Sequence, residues 1–100
     1  MIELEDAVME IIVNAGQSRS LCFEALHAAR TGNIDEARLL LNEADGYARR
    51  AHQMQTQLIE QDAGEARQPM TLIMVHAQDH LMNSLLAREF SEELIHLYKR

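Results

Sequence analysis

Apolar residues recur at intervals of three and four along most of this chain, the period of an α-helix with one buried face. Three stretches carry the pattern. In the second, Ala37, Leu40, Leu41, Ala44, Ala48, Ala51, Met54 and Leu58 share a face. In the third, Leu72, Val75, Met82, Leu85, Leu86, Phe90, Leu94 and Leu97 follow a similar period. The first is less regular, with Leu4, Val8, Ile11, Ala15, Leu21, Ala25 and Ala28. Two breaks separate the stretches. In Thr31-Gly32-Asn33, Gly32 can take the positive φ that closes a helix. Asn33 then caps the next helix, with Glu36 at the third position of a capping box. The second break runs from Gly64 to Met70 and ends in Gln68-Pro69, where the residue before proline disfavours helical geometry. Pro69 or Thr71 opens the last helix.

The pattern predicts helices over about residues 3–30, 34–62 and 71–98, each about 40 Å long at 1.5 Å per residue. Short connections make neighbouring helices antiparallel. Sustained alternation of apolar and polar residues, the signature of strands, is missing. The expected fold is therefore all-α, a single domain over residues 1–100 forming an up-down-up antiparallel three-helix bundle. Gly16 and Gly46 fall inside predicted helices, at a cost of up to about 1 kcal/mol each relative to alanine. Close packing against another helix would account for both. For Gly16 there is a second reading, room for a ligand or a neighbouring subunit beside Asn14-Ala15-Gly16.

The third helix is too apolar for a simple surface helix. Leu72, Ile73, Met74, Val75, Ala77, Leu81 and Met82 cover most of its circumference, and such a helix is buried on more than one side. Three helices cannot cover it, so the third is expected to pack against copies of itself. A 100-residue chain also buries only about 60–65% of the surface its unfolded form exposes, so association would strengthen a thin core.

Charge narrows the partners. With 9 Lys and Arg against 16 Asp and Glu, the net charge is -7. Nucleic acid and anionic membrane surfaces need a basic face and are excluded as partners, whereas a protein with a basic docking surface would suit. The hydrophobic share of 47% and mean hydropathy of -0.25 describe a globular chain. A lone cysteine, Cys22, cannot form an internal disulfide and fits a reducing compartment. Met1–Asp6 is acidic and lacks the basic start of a signal peptide, and no apolar run approaches the roughly 20 residues of a membrane span. The expected location is the cytoplasm.

Into the apolar third helix the sequence sets His76, Asp79, His80 and Asn83, at offsets 0, +3, +4 and +7, which share one helical face; Gln78 lies on a different side. Buried without partners, such groups cost about 1–3 kcal/mol each. One reading is a hydrogen-bonded structural network inside a non-catalytic interaction module, since a histidine on a buried face is ordinarily a core residue. Another is a small metal-binding bundle using His76, Asp79 and His80. The string His-x-x-Asp-His resembles the inverted zinc-protease motif with Asp for Glu. However, the chain is too small for a substrate cleft, and His27, His52 and His96 lie on other segments with no motif around them. A third reading is phosphoryl transfer through histidine. A neutral imidazole nitrogen is a good nucleophile near pH 7, and this chemistry needs no nucleotide site. The sequence has no Gly-rich phosphate loop.

The string Val75-His76-Ala77-Gln78-Asp79-His80-Leu81-Met82 resembles the active-site segment of the lactose/cellobiose-specific IIA components of the sugar phosphotransferase system. Ile12-Val13-Asn14-Ala15-Gly16 with Arg19-Ser20, Ala51-His52 with Gln55-Thr56 before Leu58-Ile59, and Leu94-Ile95-His96-Leu97-Tyr98 extend the resemblance over essentially the whole chain. Cys22-Phe23 and Gln68-Pro69-Met70 depart from the family pattern without touching the motif. Ala77 in place of Gly resembles the cellobiose and chitobiose members more than the lactose ones.

The resemblance implies a homotrimeric three-helix bundle and a transient phosphohistidine at His76. The donor would be the histidine-containing phosphocarrier protein HPr, and the acceptor a cysteine of the cognate IIB component. Asp79 would face the threefold axis, where three copies hold one divalent metal, magnesium. Gln78 and His80 are the further candidates for contacts to the phosphoryl group.

Overall fold

The computed structural model describes residues 3–100, which form three helices: α1 (Leu4–Arg30), α2 (Ile34–Ala63) and α3 (Leu72–Tyr98). Their ends lie within a residue of those the periodicity predicts. The bundle measures 52 × 19 × 17 Å, so the helices run along its length.

The core is built in two layers, and their membership fixes the topology. One layer joins Ala7, Val8, Ile11 and Ala15 of α1 to Ala51 and Leu58 of α2 and Met74, Ala77 and Leu81 of α3. The other joins Cys22, Ala25, Ala28 and Ala29 to Ala37, Leu41 and Ala44, and to Ile95. The start of α1 thus meets the end of α2 and the start of α3, an up-down-up arrangement with α1 and α3 parallel. Alanines at many of these positions let the helix axes approach closely. Ile11, Leu41, Leu81 and Ile95 are fully buried, each contributing about 1.5–3 kcal/mol of apolar burial.

α1 packs extensively on both other helices, while α2 and α3 touch each other much less. Polar bridges tie that thinner seam. The Arg88 guanidinium donates to both carboxylate oxygens of Asp45, at 2.6 and 3.1 Å. Arg38 donates to Glu92, and Gln55 Nε2 donates to Gln78 Oε1 at 2.7 Å.

The turn between α1 and α2 shows why one expected cap forms and another does not. Gly32 has φ +91°, as its position after the helix requires. Gly32 N–H donates to Ala29 O at 3.1 Å and Asn33 N–H to Ala28 O at 2.8 Å, the paired bonds of a Schellman closure. Asn33 precedes α2 but makes no side-chain cap, so the expected capping box with Glu36 is not formed. Its backbone, at φ -97° and ψ 70°, is fixed by closing α1 and lies outside the extended region that aims an N-cap side chain at the next turn. At α3 the cap is present: Thr71 Oγ1 accepts from Met74 N–H at 3.2 Å. Close packing does not explain Gly46, since a Cβ there would meet nothing within 4 Å.

Among the described residues no helix is long and apolar enough to cross a membrane.

Candidate functional site

α3 presents three faces, and the polar string reads differently on each. Its inner face buries Met74, Ala77, Leu81, Ser84, Ser91 and Ile95. Its outward face is apolar yet exposed: Leu72 is 86% exposed, Met82 54%, Leu86 50%, Phe90 61% and Leu97 58%. With the exposed Val75 and Leu94 they recur at intervals of three, four and seven, as in a helix that packs on a second helix. Val13, Met9 and Phe23 of α1 add further exposed apolar surface. An apolar area on this scale is uncommon on a monomer and marks an interaction surface.

His76 and His80 stand one helical turn apart, and their rings stack with centroids 5.6 Å apart and planes 26° from parallel. His76 is exposed and His80 half-buried. His80 reaches toward α1: its Nε2 lies 3.5 Å from where a Cβ on Gly16 would be. The imidazole pair therefore lies on the flank of α3, between the seam with α1 and the open apolar stripe. An exposed ring on a rigid helix, beside a second imidazole able to donate a hydrogen bond, can accept an electrophilic phosphoryl group without any loop or lid.

Asp79 lies in the middle of the apolar stripe, between Val75 and Met82. It is exposed, and Asn83 Nδ2 donates to its Oδ2 at 3.3 Å. It is not drawn together with the imidazoles as one ion's ligands: among the described residues no group of three His, Cys, Asp or Glu could hold a metal. At this point of the stripe one chain thus offers a single carboxylate, on a face that needs covering. That donor fits a divalent cation only if further carboxylates come from other copies.

Gln78 is not brought to the imidazole pair. Two residues from His76, it projects to another side of the helix, where its Oε1 accepts from Gln55 and its Nε2 lies 3.5 Å from Met74 Sδ. No periodicity in the sequence connects Gln55 to Gln78, because they belong to different helices. On α1, Asn14 is buried and turned back on its own helix, donating to Glu10 O at 2.8 Å and Glu10 Oε2 at 3.0 Å. His27, His52 and His96 are exposed at other places on the bundle.

Burial pushes the Cys22 thiol above its ordinary range, partly opposed by a hydrogen bond with Ser91. This makes Cys22 an unreactive core residue.

Residues 6–99 match the family described as "PTS system, Lactose/Cellobiose specific IIA subunit". The N,N'-diacetylchitobiose-specific EIIA component of Escherichia coli is 47% identical over 98 residues, covering 98% of this chain and 84% of that protein. Among solved structures, the cellobiose-specific enzyme IIA of Bacillus anthracis superposes with a TM-score of 0.93 at 36% identity, covering 99% of this chain and 92% of that one. The IIA(chitobiose)–HPr complex of the Escherichia coli phosphotransferase system superposes with a TM-score of 0.85 at 45% identity, over 99% and 96% of the two chains.

Proposed function

The chain belongs to the lactose/cellobiose-specific IIA family of the sugar phosphotransferase system, and on that premise we propose that it carries a phosphoryl group on His76 between HPr and a cysteine of a cognate IIB component, on the cytoplasmic side, during uptake of a β-linked disaccharide such as cellobiose, chitobiose or lactose. The observation that carries the proposal is the exposed His76 ring stacked on His80 at the edge of an open apolar face. The relative solved with HPr has the same fold over nearly the whole chain, which supports HPr as the donor.

The transfer needs little from the protein beyond position. A lone pair on a His76 ring nitrogen attacks the phosphorus of the donor's phosphohistidine. The phosphorus–nitrogen bond on the donor breaks, and its electron pair remains on the donor imidazole. In the second half, the IIB thiolate attacks the same phosphorus and His76 recovers its lone pair. His80 donates a hydrogen bond to a phosphoryl oxygen, offsetting charge where it is concentrated. Gln78, its carbonyl committed to Gln55 and one amide N–H turned to Met74 Sδ, keeps its other N–H for a docked partner at the same end of the bundle.

The apolar stripe is covered by two further copies of the chain in a homotrimer. That assembly brings three Asp79 carboxylates together, and one divalent cation such as magnesium offsets their mutual repulsion and takes no part in the transfer.

The test is direct. Incubation with phosphoenolpyruvate, Enzyme I and HPr is expected to add one acid-labile phosphate per chain by intact mass, and His76→Gln is expected to gain none. If the wild-type chain gains nothing, the phosphocarrier reading is wrong and an interaction module remains.

A further inference from the structure

Gly16 stands in the middle of α1, a helix of 27 residues, where glycine is less favourable than alanine because it leaves more backbone freedom to be lost on folding. Steric need does not require it. A Cβ built on Gly16 meets one heavy atom within 4 Å, at 3.5 Å, an ordinary van der Waals distance. Alanine therefore fits this chain. The backbone there is helical, with no positive φ to demand glycine.

What singles out the position is the identity of that atom. It is Nε2 of His80, a polar ring nitrogen, and the ring bearing it stacks on His76. His80 Nε2 thus borders the space between the imidazole pair and α1. A methyl group on Gly16 would rest against His80 Nε2 in the space from which an oxygen acceptor approaches that nitrogen. It would strip water from the nitrogen and offer no hydrogen bond in return, an unfavourable exchange for a donor that must meet a charged oxygen.

We propose that Gly16 is a positioning residue for phosphoryl transfer: its missing side chain keeps open the notch beside His80 Nε2 in which phosphoryl oxygens on His76 are bound. This rests on the phosphocarrier reading above. The helix accepts a weaker residue so that the hydrogen-bond donor of the site remains reachable.

The experiment compares wild type, Gly16→Ala, His80→Gln and the double variant. Phosphate acceptance from phosphorylated HPr is followed by rapid quench, with melting temperature and sedimentation measured on the same samples. Gly16→Ala is expected to melt at or above the wild-type temperature, sediment as the wild type does, and accept phosphate at least tenfold more slowly. The double variant is expected to be no slower than His80→Gln alone, because the methyl acts through His80. Equal rates for Gly16→Ala and a phosphorylated wild type overturn this inference and leave the phosphocarrier reading intact. A changed sedimentation coefficient for Gly16→Ala, or additive losses in the double variant, also overturn it. A wild-type chain that takes up no phosphate removes both.

Discussion

Glu92 shows how a single side chain can hold helices together where apolar contact is thin. It accepts from Arg38 of α2 and, at 3.1 Å, from Arg88 of its own helix; Arg88 in turn holds Asp45 of α2. His96 Nε2 lies 3.1 Å from the same carboxylate. The hydrogen bond from Arg38, assisted by Arg88 and opposed by burial, holds the Glu92 carboxyl below its ordinary value of 4.5. A depressed folded-state value means stability that is fully present above the unfolded-state value and is lost as pH falls through the folded one. Glu92→Gln is therefore expected to lower stability at neutral pH by about 1 kcal/mol, a modest figure because these groups are partly exposed. The deficit should shrink toward zero in acid. Urea unfolding of both proteins between about pH 3 and pH 7 checks this; parallel stability curves over that range would show that the network contributes nothing. Cys22, one layer inward, is by contrast silent chemically, its thiol buried in the core.

Helix ends decide where the chain turns, and here each end has its own chemistry. α1 ends on a glycine in left-handed geometry with open space around it: a Cβ at Gly32 would meet nothing within 4 Å. Any loss on substitution is then backbone strain alone. Gly32→Ala is expected to cost about 1 kcal/mol, and Gly32→Asn less, because asparagine tolerates the left-handed region. Denaturant midpoints at one fixed protein concentration measure both; an unchanged midpoint for Gly32→Ala would mean the turn can close in another geometry. The composition of the turn made Gly32 legible from sequence. The absence of the Asn33 cap was not, because the same residue supplies the N–H that closes α1, and two demands on one backbone cannot be weighed from residue types.

At the scale of the whole molecule, the chain presents more apolar surface than three helices can hide. Leu72, Val75, Met82, Leu86, Phe90 and Leu97 form an exposed stripe along α3, and Asp79 interrupts it with a carboxylate between Val75 and Met82. In the proposed trimer that residue is the point of greatest electrostatic cost, since like charges converging in an apolar interface repel strongly and are poorly solvated. Asp79→Leu is accordingly expected to remain a folded trimer without divalent metal, and to unfold at an equal or higher denaturant concentration than the wild type. Sedimentation equilibrium with and without a chelator tests it. Unfolded monomers from that variant would show that the carboxylate organises the assembly instead of burdening it.

The amino-acid order by itself determined the three helices, the position of the tight turn, and the alignment of His76 with His80 on α3. All of these follow from spacing along one backbone, where 3.6 residues per turn decides who shares a face. The long motif around His76 also sufficed to mark the family. Tertiary structure alone decided that Gly16 of α1 faces His80, that Gln78 turns to Gln55 and away from the imidazoles, and that Asp79 and the apolar stripe lie open. Those facts depend on how far each helix slides and rotates against the next. That register is set by the summed packing of both core layers, and no local pattern encodes it.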